Sequence, residues 1–593
     1  MQRRVFFRSI VFSLIMLLMF ISCETHKTQH LVKDWKEESK KIAEDFARDL
    51  GAIYPEDVAD IGFDEFGSKS THFSGHMSED HLLFLEKWQN QLENKLEKNI
   101  HHELRTDLMI LLEKVRLDKD QIKLERSVGE VPFIPITEFI YLNIKEYLAP
   151  DAGPLRKNQG LTRFQSYVRG SSEHLPLALG VEAFVSEKIK YLKIKKMTGF
   201  WPSRYELEIY LKESEKYLKA IRGLLANSKD EWQKDLLQLE TQDQRFRSFL
   251  KEKVLPFSRT RHAVPDSVYA SILRSNGIKM SARELIKTGL ADYQKTYVEF
   301  KNLAKEVALK YRLRKNDPVS VVKFLSSRKI QDPDDLVKSY RNSISFLYEI
   351  ILKNHLLTIQ NKPEIIVRFA TPAEAQSIPA PHFIASPILG EDRDLPSQFV
   401  ITPANKGRSD FSYPEAIVNL SAHEAVPGHG LQFQVMRERG TTLIRSWLAF
   451  NSANVEGWAL YAEEMVHPYL NIESKFISLQ RRLWRQARMF LDPQLNLDMI
   501  NEKRVNEVFS NELGFSPLFA RSEYDRYSYI MPGQAPSYYY GYKRLTNLRS
   551  RIQHRYNHLF KSSCFNDAVL NLGVLPLDEI ESRLTGSFQC DLK

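Results

Sequence analysis

The chain has 593 residues, of which 43% are hydrophobic and 27% charged, a balance typical of a folded globular protein rather than a disordered one. This length exceeds the needs of one small hydrophobic core, so two or more lobes are expected. The 84 lysines and arginines exceed the 75 aspartates and glutamates by nine, but the two signs alternate closely. Without a concentrated basic patch, the composition argues against a nucleic-acid-binding protein.

The N-terminus has the pattern of an export signal. Three arginines precede an apolar run over residues 10–21, and Ser22 and Cys23 follow it. A basic start, a short apolar stretch and a small residue at its end are typical of a secretory signal peptide. The run is short for a membrane span, and no later segment is apolar enough to be one.

The cysteine after the apolar run resembles a bacterial lipidation site, although Phe20 stands where such sites usually carry leucine. We predict a lipoprotein signal peptide over residues 1–22, Cys23 as the lipid-bearing first residue of the mature protein, and a flexible tether over 23–33. The protein would then lie in the cell envelope, anchored by lipid to a bacterial membrane on its periplasmic or surface side. A plain signal peptide or an N-terminal anchor is the alternative.

Most of the remaining chain, residues 34–593, has helical periodicity. Residues 81–99 and 285–311, for example, repeat apolar side chains every three or four positions and are rich in glutamate and lysine. We therefore predict a mainly α fold, with a lobe hinge near 255–280.

A short β-rich stretch interrupts this pattern over residues 364–405. Its two apolar runs, 364–370 and 397–405, are separated by several prolines and predict a small sheet with irregular connections. The second run could pair with an extended peptide by strand addition.

Two cysteines besides Cys23 are present, Cys564 and Cys590. Export permits a disulfide between them that closes a C-terminal loop, but free buried thiols fit the sequence equally well, because it does not give their separation.

Directly after the predicted sheet, the stretch SAHEAVPGHG carries two histidines, His423 and His429, six positions apart. On a regular helix they would point about 120° away from each other, so they cannot bind one metal from a straight helix. Pro427 removes a backbone donor and Gly428 permits unusual backbone angles. We therefore predict that the helix breaks at Pro427, through a bulge or kink that brings the two histidines together.

A catalytic zinc site has three protein ligands and one open position. Glu424, next to the first histidine, is predicted to be the general base that takes a proton from the attacking water. The third ligand is expected from a downstream helix, where Glu456 and Glu463 are seven residues apart and share a face. We assign Glu456 as the ligand and Glu463 as the acid that orients a histidine ring, with exchanged roles as the alternative.

Four blocks of the chain resemble, in order, the signature blocks of the domain of unknown function 885 family, whose bacterial members include exported lipoproteins with an HExxPGH box. The blocks are HEAVPGHGLQ (423–432), EGWALYAEE (456–464), RYSYIMPGQAPSYYYG (526–541) and FNDAVLNLGVLPLDEIE (565–581). The resemblance implies a large helical, two-lobed fold similar to gluzincin metallopeptidases, with one zinc ion in a cleft between lobes and a small sheet beside the active-site helix.

The resemblance also implies roles for single residues. It assigns His423, His429 and Glu456 as metal ligands and Glu424 as the base. The block EGWALYAE also resembles the NEGFA-type block of aminopeptidases related to aminopeptidase N, in which the glutamate before glycine binds zinc, and this favours Glu456 over Glu463 as a ligand.

Tyr538 is implied by the family resemblance as a donor that stabilises the oxyanion. Arg526 is implied in a two-pronged contact to a substrate carboxylate, and Gln534 in lining the same wall. Asp492 is implied as a retained acid near the site.

The chain departs from the family pattern where histidine is frequent, at Gly430, Asn496 and Asn566. We expect the metal ligands to be unaffected, but substrate binding and full activity to depend on these changes.

The sequence therefore predicts a lipid-anchored zinc peptidase of the cell envelope that hydrolyses peptide bonds, with short peptides as substrates. Two alternatives remain: a metal-dependent amidase acting on a non-peptide or cell-wall substrate, and an inactive surface lipoprotein that only binds. The predicted partners are a peptide and, through the lipid, a membrane, with no nucleic acid; the chain is a monomer or an oligomer of unknown size.

Overall fold

The computed structural model describes residues 35–149, 152–226, 231–371, 374–377, 380–402, 410–588 and 590. The predicted signal peptide, Cys23 and the tether lie outside these residues. The described chain is mainly α-helical with one three-stranded sheet, which confirms the predicted fold class. No helix in these ranges combines the length and the apolar character that a membrane crossing needs.

Helices build the N-terminal part of the chain. They are α1 (35–51), α2 (Pro55–Ala59), α3 (Met77–Leu96), α4 (His102–Val128), α5 (Ile136–Ile144), α6 (Pro154–Arg169), α7 (Leu177–Lys195), α8 (Arg204–Leu225) and α9 (Glu231–Phe249), with 3-10 turns at Asp64–Phe66 and Leu255–Phe257 and a π-helical segment at Leu250–Val254. The start of α8 shows how the sequence sets such boundaries: Ser203 and Glu206 form a capping box that satisfies free backbone N–H groups.

These helices enclose two hydrophobic cores. The first contains the edge-on pair Phe46 and Trp88 from α1 and α3, and it also takes up Ile444 from the C-terminal half. The second lies among α5–α9, around the buried Phe164 and Phe246. The N-terminal part is therefore tied to the rest of the molecule through the first core.

The C-terminal part contains the sheet and the longest helices. Its elements are α10 (Asp266–Ser275), α11 (Ala282–Lys310), α12 (Pro318–Ser326), α13 (Pro333–Lys353), β1 (Ile365–Phe369), α14 (Glu374–Ser377), β2 (His382–Ile384), β3 (Ser397–Ile401), α15 (Pro414–Glu424), α16 (His429–Glu438), α17 (Ser452–Val466), α18 (Ile472–Asn496), α19 (Glu502–Asn506), α20 (Pro517–Asp525), α21 (Pro536–Tyr556), α22 (Ser562–Asn571) and α23 (Leu577–Ser587). Between them lie 3-10 turns at Glu391–Asp394, His467–Tyr469 and Asn557–Leu559, and π-helical segments at Ile444–Leu448, Glu507–Glu512 and Arg526–Ile530.

The main core forms where α11 packs along α18. The rings of Phe300 and Phe476 stack at 4.5 Å, and Tyr293 meets Phe490 edge-on at 5.4 Å. The chain leaves the second N-terminal core at Val254 and its next buried hydrophobic residue, Val264, belongs to the main core. This change of core falls within the predicted hinge region; hinge motion itself stays a prediction.

The strand order in the sheet is β1-β3-β2, with β1 parallel and β2 antiparallel to β3. Phe399 of β3 is paired with Val367 on one side and Phe383 on the other. The predicted strand addition to the second apolar run is therefore wrong for β3, because both of its edges are already paired. Within the described sheet, β2 is the edge strand on that side.

Cys564 and Cys590 form a disulfide across a separation of 26 residues. Of the two alternatives that the sequence left open, the structure shows the closed C-terminal loop.

Candidate metal centre

The two histidines of the opening motif lie on different helices. His423 is the second-last residue of α15, and His429 is the first residue of α16. A β-carbon on Gly428 would lie only 1.7 Å from the carbonyl oxygen of His423, so this close backbone approach requires glycine. The predicted break at Pro427 is confirmed, but as a four-residue connection between two helices rather than as a bulge or kink in one helix.

The break brings the two imidazoles to one carboxylate. The Nε2 atoms of His423 and His429 lie 3.3 and 3.5 Å from Oε2 of Glu456 on α17, and one donor atom of each residue lies within 4.8 Å of the others. Tetrahedral zinc with bonds of about 2.1 Å separates its donors by roughly 3.4 Å. Nδ1 of His429 is also buried with no hydrogen-bond partner among the described residues. The donor set and spacing therefore fit a metal ion.

Glu463, two turns beyond Glu456 on α17, contacts the far side of the His423 ring. Its Oε1 lies 2.8 Å from Nδ1 of His423 and 3.2 Å from Nη2 of Arg485. With Nδ1–H donating to this carboxylate, Nε2 is the ring nitrogen on the side of Glu456 and His429 and the one that would face a metal. A carboxylate that holds a histidine in this tautomer is typical of the support behind a metal ligand.

The electrostatics of the group favour a positive charge. Burial alone would lower the pKa of His423, but hydrogen bonds from the ring to Glu456 and Glu463 raise it to about 9. Burial would conversely raise the pKa of Glu456, yet the two histidines hold it well below its ordinary value. Burial would also raise the pKa of Glu463, but Arg485 and His423 lower it below its ordinary value. The site therefore stabilises a cation between the carboxylates of Glu456 and Glu463.

Two further side chains face this group. The nearest carboxylate oxygen of Glu424 lies 4.0 Å from Nε2 of His423, close to the donor group without being part of it. The ring of Tyr538 on α21 lies parallel to the His423 ring at 6.1 Å. Burial is the main cause, and the negative charge of Glu456 the second, of a pKa of Tyr538 raised to about 12. Its hydroxyl therefore keeps its proton at neutral pH.

A cavity of about 420 Å³ opens onto the donor group, within the range that encloses a ligand of drug size. All of its lining residues fall between Ala380 and Tyr538 in the sequence. The cavity therefore lies within the C-terminal half of the sequence, and its expected position in a cleft between two lobes stays a prediction. One wall is provided by β2, where Phe383 lies 6.4 Å from the ring of His429.

A family profile described as "Bacterial protein of unknown function (DUF885)" matches residues 55–584. The chain belongs to this DUF885 family. No curated protein matches the sequence.

Solved structures share the fold. A "putative lipoprotein" from Colwellia psychrerythraea has a TM-score of 0.74 at 15% identity and covers 93% of this chain and 99% of its own. A "putative lipoprotein of unknown function" from Shewanella oneidensis has a TM-score of 0.70 at 17% identity, with coverages of 92% and 99%. A "putative oligoendopeptidase F" from Bacillus anthracis str. Ames has a TM-score of 0.28 at 12% identity, covering 84% of this chain and 91% of its own; that score is too low to establish a shared fold.

The positions at which this DUF885 chain departs from the expected pattern do not line the cavity. Gly430 is pressed against the backbone, since a β-carbon there would lie 2.7 Å from the carbonyl oxygen of Ala425. Asn496 donates to Asp492 and to the carbonyl of Tyr527. Asn566 accepts from Tyr461 and donates to the carbonyl of Leu356. Each position thus has a packing or hydrogen-bonding role away from the cavity.

Asp492 is also buried away from the cavity. It accepts hydrogen bonds from the Tyr269 hydroxyl and the Gly533 backbone, at 2.8 and 2.9 Å. Burial raises the pKa of Asp492 to about 7, although these hydrogen bonds act to lower it. Asp492 therefore holds the turn that carries Gln534, whose side-chain oxygen accepts from Nη2 of Arg526 at 2.7 Å. Arg526 lines the cavity.

The sequence interpretation missed the arginines of α18. Arg485 and Arg488 line the cavity, are buried, and pair with Glu463 and Glu523. The signal was present as arginines spaced by four and three residues at 481, 485 and 488, which places them on one helix face. Arginines at helical spacing ordinarily indicate a solvated face, so only the fold shows that this face is buried.

Proposed function

We propose that the protein is a zinc-dependent peptidase. The observation that carries the proposal is the approach of His423 and His429 to one oxygen of Glu456, with Glu424 beside them in the wall of the same cavity. Two neutral imidazoles and a carboxylate are a donor set found in catalytic zinc sites.

Zinc held by these three residues would act as a Lewis acid toward a substrate carbonyl and lower the pKa of water. In this proposal the Glu424 carboxylate accepts a proton from the attacking water and delivers it to the amide nitrogen as the C–N bond breaks. The Tyr538 hydroxyl, protonated at neutral pH, is a hydrogen-bond donor for the negative charge that develops on the carbonyl oxygen. His423 is kept in position by Glu463 throughout.

An edge strand in the wall of the cavity supports a peptide as the substrate. His382 and Phe383 of the edge strand β2 line the cavity. An extended peptide aligned with this edge would pair through its backbone and run past the metal donors. The substrate strand that the sequence analysis assigned to β3 is thus proposed for β2 instead.

We further propose that the protein is exported and lipid-anchored through Cys23. The support comes from the basic and apolar N-terminal pattern, from the Cys564–Cys590 disulfide, which is typical of oxidising compartments, and from the description of two proteins of the same fold as lipoproteins.

The proposal is tested by Glu424→Gln in the purified protein. We expect the variant to keep one equivalent of zinc by elemental analysis and to lose cleavage of a mixed peptide library by at least about 100-fold, because the proton acceptor is lost while the three ligands remain. His429→Ala should instead lose the metal. Wild-type protein that binds no divalent metal would contradict the site, and zinc-loaded protein that cleaves no peptide would favour a binding lipoprotein or an amidase for another substrate.

A further inference from the structure

Three arginines line the cavity, and they differ in their partners. Arg485 pairs with Glu463 at 3.2 Å. Arg488 makes a two-pronged contact with Glu523, at 2.9 and 2.7 Å. Arg526 makes no ion pair with any carboxylate of the described residues. Arg526 is therefore the one of the three that has no direct ion pair within the described chain.

The partner that Arg526 does have is neutral. Its Nη2 donates to the side-chain oxygen of Gln534 at 2.7 Å, and the amide nitrogen of Gln534 donates to Ser452 at 2.8 Å. Because a guanidinium only donates, the amide oxygen must face it, and the amide nitrogen is then directed to the serine hydroxyl. The Nε of Arg526 is buried and has no hydrogen-bond partner within the described chain. The protein thus orients this guanidinium through a neutral amide and places no carboxylate of the described residues in direct contact with it.

Two acids, Glu523 and Asp492, feel the charge of Arg526, which acts to lower the pKa of both, but their oxygens accept hydrogen bonds from other groups. Glu523 accepts from Arg488 and also from the Trp484 ring nitrogen and the Tyr527 hydroxyl. Asp492 accepts from the Gly533 backbone, together with a tyrosine and an asparagine. Because a partly buried guanidinium without an anion is costly, an anion supplied from outside the protein would be bound strongly.

We propose that Arg526 binds the C-terminal carboxylate of the peptide, so that the enzyme removes short fragments from the C-terminal end. This inference rests on the proposed peptidase function. The carboxylate at one end of the cavity and the scissile carbonyl at the metal donors would fix how many residues are released. Hydrolysis adds water across the C–N bond, and the proton taken up by Glu424 leaves on the new amine of the released fragment.

The test compares two peptide pools of identical random sequence, one with free C-terminal carboxylates and one with C-terminal carboxamides. Zinc-loaded wild type should cleave the free acids about 10- to 100-fold faster, the range expected for hydrogen bonds to a charged group. Mass spectrometry should show one constant length of released C-terminal fragment.

Two variants remove the proposed contact in different ways. Arg526→Ala deletes the guanidinium. Gln534→Glu keeps it but places an internal carboxylate on it, with almost no change in side-chain shape. Both should reduce the ratio of free-acid to carboxamide cleavage to about one. Arg521→Ala is the matched control, since this arginine pairs with Asp525 and Glu502, is 39% exposed and does not line the cavity. It should keep the wild-type ratio.

The outcomes distinguish a failure of this inference from a failure of the proposed peptidase function. Cleavage of both pools at equal rates by wild type, or at internal positions of no fixed distance from the C-terminus, would overturn the role of Arg526 and leave the peptidase standing. Cleavage of neither pool would overturn the peptidase itself. If Arg526→Ala does not fold, the Gln534→Glu variant and the comparison of the two pools with wild type still test whether Arg526 binds the carboxylate.

Discussion

Gly457 of α17 lies directly against Gly541 of α21. A β-carbon on Gly457 would be 2.6 Å from the Cα of Gly541, so any larger residue would force the two helices apart. Gly457 follows the proposed ligand Glu456, and Gly541 is three residues after Tyr538. The glycine contact therefore sets the distance between the metal donors and the tyrosine that stacks on His423.

Gly541→Ala is expected to disturb both stability and the site, since its β-carbon would lie 1.8 Å from the carbonyl oxygen of Ala453. We expect a loss of about 3 kcal/mol in the free energy of unfolding, typical of severe overpacking, seen as a lower melting temperature, with weaker metal retention. Gly223→Ala on α8 is the control. Nothing lies within 4 Å of its β-carbon, so it should stabilise the protein slightly. Equal melting temperatures for the two variants would contradict the close-contact argument.

Glu463→Gln is expected to weaken metal binding without removing a ligand. The loss of the charge behind His423 should reduce metal affinity roughly 10- to 100-fold, measured by competition with a chelator. Glu464→Gln provides the comparison, because the neighbouring Glu464 pairs instead with Arg482 and is 36% exposed. A similarly small change in metal affinity in both variants would show that the contact of Glu463 with His423 does not support metal binding.

The buried pair of Arg488 and Glu523 should make stability depend on pH. Burial alone would raise the pKa of Glu523, but Arg488 lowers it to about 2. Above pH 4.5 the carboxylate is charged in both folded and unfolded chains, and the pair stabilises the fold. As pH falls from about 4.5 to 2, the unfolded chain takes up the proton first, so this stability, about 3 kcal/mol, is lost.

Glu523→Gln should therefore melt well below wild type at pH 7, and the gap between the two melting temperatures should narrow as the pH falls toward 3. Glu502→Gln, which removes a 49% exposed partner of Arg521, should melt near wild type throughout, because exposed pairs contribute little. A gap that stays constant with pH would rule out the ion pair as its source.

The disulfide should stabilise the C-terminal helices. Closing a loop across 26 residues is worth about 3 kcal/mol in the chain-entropy account. Cys590→Ser and Cys564→Ser should lower the melting temperature by the same amount, and a reductant should lower wild type to their level. Alkylation of both cysteines in unreduced native protein would show that the bond is not formed.

The sequence alone was sufficient for features that depend on local pattern. Helical periodicity predicted the α-rich body, two short apolar runs separated by prolines located β1 and β3, and the six-residue histidine spacing required a broken helix at Pro427. Each of these follows from backbone geometry within a few residues, and the structure confirms them. The meeting of the two histidines with Glu456 was predicted by combining such patterns.

Tertiary structure decided what depends on distant segments. Only packing reveals that the Arg485 face of α18 is buried, since the same spacing on an exposed helix would be solvated. Strand order, which no single strand encodes, makes β3 central and β2 the edge. The cavity lies within the C-terminal half because α15, α17, α18 and α21 pack together there, and that packing leaves Arg526 with a neutral partner. These relations join residues up to a hundred or more positions apart, where local sequence carries no geometric information.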